Sequence, residues 1–304
     1  MGRRRGATGL AGVIVIDKPA GMTSHDVVAA VRRATGEGRV GHAGTLDPMA
    51  TGVLVVLVGP YTRLEKYLSG HDKGYSATIT FGSETDTDDA EGQVVQTAPV
   101  PAGIFDAEHA EEILRTFIGA SEQLPPAYSA IKLDGKTSHE VARAGGALAL
   151  APRSIVVHDA HLSGFDADAR TWDVDFLVSK GTYIRALARD IGRSVKSAAH
   201  LSALRRTRSG SVFIEGAHSL TTVVEHGVTG TIAKLFYDAP GALGFPLLVA
   251  DSQADAIATG RPLALPEFTG GAPLFSVLVD GTLRAIYRRE GERLVPETVL
   301  GSAQ

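Results

Sequence analysis

The sequence predicts an α+β fold, and three observations carry that reading. Tyr75–Phe81 and Trp172–Val178 alternate apolar and polar residues with period two, as half-buried strands do. Val27, Val28 and Val31, and later Leu187, Ile191 and Val195, recur at helical spacing and predict amphipathic helices. Val53–Val58 is apolar throughout and reads as a strand buried on both faces.

In chain order, Met1-Gly2-Arg3-Arg4-Arg5 opens a basic arm over residues 1–9, expected to be disordered. Val13–Ile16 predicts a short buried strand that runs into Asp17-Lys18-Pro19-Ala20-Gly21-Met22-Thr23-Ser24. Pro19 and Gly21 mark a turn, and Ser24 is the expected N-cap of the following helix. Arg32 and Arg33 close that helix, where its dipole favours cations. Next comes Gly41-His42-Ala43-Gly44-Thr45-Leu46-Asp47-Pro48-Met49-Ala50-Thr51-Gly52. Its glycines permit close backbone approach, and Pro48 biases Asp47 toward extended geometry. The loop thus poses one carboxylate and leaves room beside it.

Further on, Lys73-Gly74-Tyr75 starts the first alternating strand, with Tyr75 on its apolar face. Gly82–Gly92 is rich in oxygen donors but lacks the spacing and central glycine of a calcium loop, so no metal is expected there. Asp106 predicts the cap of a helix bearing Ile113, Leu114 and Phe117. Gln123-Leu124-Pro125-Pro126-Ala127-Tyr128-Ser129-Ala130-Ile131-Lys132 approaches in extended form a hairpin turn at Asp134-Gly135. Ser179-Lys180-Gly181-Thr182-Tyr183-Ile184-Arg185 closes the second alternating strand; on extended backbone Tyr183 and Arg185 share a face. Residues 219–245 carry mixed Gly, Pro and short apolar runs, and the domain boundary is placed at their end, giving domains 1–245 and 246–304. In the second, Asp280-Gly281 between alternating runs is a hairpin signal, and a small helix is expected around Ala254–Ala258.

Composition narrows the function. The chain has 304 residues, 44% hydrophobic and 21% charged, as in ordinary globular proteins. With no cysteine, disulfides, thiolate metal sites and cysteine nucleophiles are excluded. No stretch approaches a membrane span, so a cytoplasmic location is the expectation. The net charge is −4, yet Lys180–Gly210 holds eight basic residues against one acidic one, a local patch able to attract a phosphate backbone.

The Gly41–Gly52 stretch closely resembles the signature of the TruB family of tRNA pseudouridine synthases. Asp17–Ser24, Lys73-Gly74-Tyr75, Gln123–Lys136, Ser179–Arg185 and Leu204-Arg205-Arg206-Thr207 resemble further family motifs in the family's order. The resemblance implies a pseudouridine synthase fold, a mixed and mainly antiparallel sheet flanked by helices, with a small PUA-like C-terminal domain. It implies isomerisation of the T-loop uridine of tRNA (position 55), with no cofactor, no metal and no guide RNA, by a monomer that binds the T-arm and elbow. Asp47 is then the catalytic residue, acting as a nucleophile at sugar or base or by removing the C2′ proton. Arg185 pairs with Asp47 and orients it; Tyr75 stacks on the extruded base; Tyr183 shares the substrate site; Leu204 walls the base pocket. His42 fills the space the flipped base vacates or stacks on the displaced neighbour. Lys180, Arg205 and Arg206 are the expected RNA-backbone contacts.

Other readings fit less well. A hydrolase using Asp47 would need a second acid–base group, and none stands near it in sequence. A non-catalytic RNA binder leaves the glycine-rich Asp47 loop unexplained. The acidic residues of 246–304 outnumber its basic ones, which gives that unit no electrostatic claim on RNA.

Overall fold

The structure is a computed structural model that describes residues 8–128, 150–265 and 271–301, together with the backbone of 132–133 and 136–137. By internal contacts the chain forms two compact units, Met1–His71 with Arg208–Gln304, and Asp72–Thr207.

The first unit begins with β1 (Gly12–Lys18), α1 (Ser24–Thr35), β2 (Val40–Ala43), β3 (Thr51–Val58) and α2 (Glu65–Leu68). Strand β1 pairs antiparallel with β3 along Gly52–Val58, Val15 opposite Val55, and β2 pairs antiparallel with Val55–Val58 on the other edge, His42 opposite Val56. Val53–Val58 are all buried, as a fully apolar strand requires. Of the basic arm, residues 1–7 lie outside the described residues. Thr8 is held by Glu37, whose carboxylate accepts its N–H at 2.9 Å.

The second unit carries β4 (Lys73–Phe81), β5 (Ser83–Thr85), β6 (Val94–Thr97), α3 (Ala107–Arg115) and β7 (Gly119–Gln123). It continues with β8 (Lys132–Leu133), β9 (Lys136–Thr137), β10 (Arg153–Asp166), β11 (Thr171–Val178), α4 (Ile184–Ser194) and most of β12 (Ala199–Ser209). Its strands run in the order β12-β4-β11-β10-β7, and the β4–β11, β11–β10 and β10–β7 pairings are antiparallel. Tyr75, Ala77 and Ile79 stand opposite Phe176, Val174 and Trp172, so one face is apolar along both strands. Trp172 is fully buried and its indole N–H donates to the Ile104 carbonyl at 3.0 Å. Strands β8 and β9 pair antiparallel, as the hairpin signal predicts; the Asp134-Gly135 turn itself is outside the described residues.

The chain then returns to the first unit through β13 (Val212–Phe213), β14 (His218–Ser219), α5 (Leu220–Val228) and α6 (Ala239–Leu243). Strand β14 lies parallel to β1, which makes the sheet mixed. Helix α5 packs on α1 at Gly227, where an added Cβ would stand 2.6 Å from the Ala34 carbonyl oxygen. The C-terminal segment adds β15 (Leu247–Val249), α7 (Ala254–Ala258), β16 (Leu263–Ala264), β17 (Leu274–Val279), β18 (Thr282–Glu290) and β19 (Arg293–Val299), a five-stranded sheet. Asp280 and Gly281, at φ 49° and 68°, turn the β17–β18 hairpin.

This sheet has its own core around Phe275, Val277, Tyr287 and Leu294. It also shares one with the segment that follows β3, where Tyr61, Leu64 and Leu68 pack with Leu283, Ile286 and Leu300. Tyr61 donates to the Leu283 carbonyl at 3.2 Å, and Tyr67 bonds Thr298 at 2.8 Å. The sequence-based boundary at 245 therefore crosses a continuous core, and the contacts group 208–304 with 1–71.

Candidate active site

In the first unit, the Asp47 loop spans the gap between β2 and β3, flanked by Gly44 at φ 96° and Gly52 at φ 100°, both left-handed conformations that an L side chain rarely adopts. The buried side chain of Leu46 fills the interior beneath it. Ser24 grips Leu46 from α1, its hydroxyl accepting from the Leu46 N–H at 2.9 Å and donating to the Leu46 carbonyl at 3.1 Å. Thr23, and not Ser24, is the N-cap of α1: its side chain accepts from the Asp26 N–H, and Asp26 returns the bond in a capping box. A hydroxyl at each of two adjacent positions splits the tasks, capping at 23 and loop-holding at 24.

The other anchor is Lys18. It is fully buried, and its ammonium donates to the carbonyls of Pro19 at 2.9 Å, Met22 at 2.6 Å and Pro48 at 3.2 Å. The Gly21 N–H adds a second bond to Pro48 O at 2.9 Å. The Asp17–Ser24 motif thus secures the residues on either side of Asp47. Asp47 itself is half-buried, and its carbonyl accepts from the Ala50 N–H at 3.1 Å. His42, on β2, meets His25 of α1 edge to face with ring centroids 5.6 Å apart.

Lys18→Met is expected to leave those carbonyls without their shared donor. One buried group left unsatisfied costs about 1–3 kcal/mol, and a loop displaced by about 1 Å can lose 10²-fold in rate. Urea unfolding and turnover of the variant check both effects; unchanged turnover would show that the clamp does not set the loop.

The second unit supplies the remaining sequence-predicted residues. Tyr75 is half-buried near the start of β4, at the end of the apolar face. Lys73, two residues earlier, is buried, and burial pulls its ammonium down to about 8, with Arg206 and Lys180 lowering it further and Asp72 opposing them. Leu204 is buried on β12. Lys180 is exposed and Arg205 half-exposed, whereas Arg206 is 1% exposed, an inward position for a residue expected to contact RNA backbone.

Tyr183 keeps extended backbone, at φ −99° and ψ 112°, but Arg185 is helical, so the two do not share a strand face as the strand reading expected. Tyr183 is the N-cap of α4 and Arg185 lies in its first turn. Arg185 is buried; it donates to the Thr87 carbonyl at 2.8 Å and the Tyr128 carbonyl at 2.9 Å, and lies 3.5 Å from the Asp89 carboxylate. One and two turns further, Arg189 pairs with Asp88 at 2.9 Å and Arg193 grips Glu84 with two bonds of 2.8 and 2.6 Å. The acidic turn after β5 is therefore docked on one arginine stripe of α4. Three of the eight cations of the 180–210 patch serve this pairing, which reduces what that patch offers to RNA.

Burial pushes the Asp88 carboxyl above its ordinary range, against the opposing pull of Arg189, Arg185 and Arg193. The i, i+4, i+8 spacing of Arg185, Arg189 and Arg193 is visible in sequence as a helical stripe, though its acidic partners about a hundred residues earlier are not.

Comparison with known proteins bears on what these residues do. The model of the TruB family pseudouridylate synthase N-terminal domain matches residues 32–184. The tRNA pseudouridine synthase B of Cutibacterium acnes is 44% identical over 286 residues, covering 93% of this chain and 94% of the relative. That of Thermobifida fusca is 40% identical over 304 residues, covering 96% and 99%. Among solved structures, a Cbf5–Nop10–Gar1 complex superposes with a TM-score of 0.73 at 26% identity, covering 96% of this chain and 85% of that one. An H/ACA RNP bound to a substrate RNA containing 2′-deoxyuridine gives 0.70 at 25% identity, covering 95% and 84%. With matched motifs, whole-length identity and a shared fold, the chain belongs to the TruB family of pseudouridine synthases.

Proposed function

We propose that this chain isomerises uridine to pseudouridine in tRNA, at the T-loop, with Asp47 as the catalytic carboxylate. The observation that carries the reading is the Asp47 loop: one half-buried acid in a segment fixed on both sides by Lys18, Gly21 and Ser24. Such anchoring holds an acid in one pose before substrate arrives, which is how a positioned group lowers a barrier. The reaction breaks the N1–C1′ bond, turns the uracil, joins C5 to C1′ and releases the C5 proton while N1 takes one up, so no group is lost and a single positioned carboxylate can serve as nucleophile or as base. Arg185 orients that carboxylate through a charge-assisted pair. Tyr75 stacks on the uracil, Leu204 walls the base pocket and Tyr183 completes the contact with the substrate. His42 takes the space left when the base leaves its stack. Lys180, Arg205 and Arg206 favour the phosphate backbone, the buried Arg206 through its field.

The partner is the T-arm and elbow of tRNA, and the enzyme works as a cytoplasmic monomer without a guide RNA. The tRNA pseudouridine synthases B of Cutibacterium acnes and Thermobifida fusca are 44% and 40% identical, while the chain of the Cbf5–Nop10–Gar1 complex is 26% identical. No helix among the described residues is long and apolar enough to cross a membrane.

The test is pseudouridine formation in a T-arm transcript incubated with the purified protein alone. Stoichiometric conversion at the position-55 uridine is expected; binding without conversion would overturn the assignment. Tyr75 separates stacking from packing. Tyr75→Phe should keep RNA affinity, whereas Tyr75→Leu should lose about 1–3 kcal/mol of binding together with turnover. Equal affinities for the two variants would make Tyr75 a packing residue.

A further inference from the structure

The Gln123–Tyr128 segment has no part in the chemistry above, yet it is tied to the helix that carries Tyr183 and Arg185. Gln123 ends β7 and is 3% exposed. Its carboxamide oxygen accepts from the Tyr183 N–H at 2.9 Å, and its amide donates to the Tyr183 carbonyl at 3.1 Å. Only one orientation of the carboxamide satisfies both groups, so the side chain has a single fit. That carbonyl also accepts the first helical bond of α4, from the Leu187 N–H at 3.1 Å. Two more bonds run the same way: Arg189 donates to the Leu124 carbonyl and Arg185 to the Tyr128 carbonyl, each at 2.9 Å.

Tyr183 is a poor N-cap. Serine, threonine, aspartate or asparagine would bond the first free N–H groups of the helix, and Tyr183 makes no such side-chain bond. An aromatic residue at this place leaves the start of α4 undefined by its own sequence. Gln123 defines it from outside, by clamping the capping residue's backbone on both sides.

We infer that Gln123 is a positioning residue: its buried carboxamide registers the first turn of α4 and so fixes how Tyr183 and Arg185 are presented to the substrate. The inference rests on the proposed roles of Tyr183 and Arg185. It explains why the Gln123 motif accompanies the Tyr183–Arg185 motif in one chain although some sixty residues separate them.

The test compares Gln123→Met, which keeps length and apolar volume but neither bond, with Gln123→Glu, which keeps the acceptor for the Tyr183 N–H. Trp172→Phe is the control, because it breaks a buried bond in the same unit at the opposite end of the β4–β11 pair from Tyr75. Turnover is measured on the T-arm transcript well below the unfolding midpoint of each variant. Gln123→Met should lose about 10²-fold in kcat with a smaller change in KM, Gln123→Glu should fall between it and wild type, and Trp172→Phe should lose stability but keep kcat. If Gln123→Met does not fold, the Gln123→Glu kcat decides. The inference is overturned if neither Gln123 variant loses more kcat than Trp172→Phe. Full kcat in Tyr183→Ala and Arg185→Met would instead refute the roles of those two residues.

Discussion

Arg189→Met is expected to lower the unfolding free energy by about 3–5 kcal/mol, the loss seen when one partner of a buried ion pair is removed. The Arg189 side chain is 7% exposed and its guanidinium meets Asp88, Asp190 and the Leu124 carbonyl, each at 2.9 Å. Methionine fills the volume but leaves the Asp88 carboxylate, 10% exposed, without its nearest countercharge. The loss carries a pH signature. Burial already raises the Asp88 carboxyl above its ordinary value, so the native state binds its proton more tightly than the unfolded chain. Such a group destabilises at neutral pH and ceases to do so as pH falls through its raised folded value toward the unfolded one. Removing Arg189 raises it further, so the deficit against wild type should be largest near pH 7 and shrink toward pH 5. Urea unfolding at both values checks this, and adding Asp88→Asn should recover part of the loss at pH 7. An equal deficit at both values would mean that Asp88 does not carry it.

The larger effect on activity belongs to Asp47. Asparagine has nearly the same volume, and the loop is held by Lys18, Gly21 and Ser24 through backbone groups of Leu46 and Pro48, none of which the substitution touches. Ala50 bonds the backbone carbonyl at 47, which is also unchanged. Asp47→Asn should therefore keep the fold and the RNA-binding surface while losing the oxygen proposed to act as nucleophile or base. Removal of such a group abolishes measurable turnover. An unchanged Kd for the T-arm transcript, read alongside, shows that the lost step is chemical.

How much of this was legible beforehand depends on how local each cause is. Val53–Val58 was readable because a uniformly apolar run of strand length admits burial on both faces, and it is buried so. The alternation of 75–81 placed Tyr75 on the apolar face, and its register against Phe176 agrees. The hairpin at Asp280-Gly281 was local turn chemistry. Arg185 was placed on a strand because Tyr183, the N-cap of α4, is an aromatic residue that does not mark a helix start; β11 ends at Val178, and the group that holds the helix start sits sixty residues away, in Gln123.

The basic patch misled in part for a related reason. Spacing along α4 shows that Arg185, Arg189 and Arg193 share a face, but only the fold reveals that the face meets Glu84, Asp88 and Asp89. Helix α5 was passed over because its Thr-, Val- and Gly-containing sequence has low helical propensity; packing on α1 through Gly227 supplies what propensity lacks. The boundary at 245 marked a change of composition, while the core of Tyr61, Leu64, Leu283 and Ile286 continues across it.

Single-turnover conversion of a T-arm transcript by wild-type and Asp47→Asn protein, each at saturating concentration and with binding confirmed, tests the central claim most directly. Full conversion by wild type and no pseudouridine from a folded, RNA-bound Asp47→Asn protein is the predicted result. Substantial pseudouridine from Asp47→Asn would contradict it.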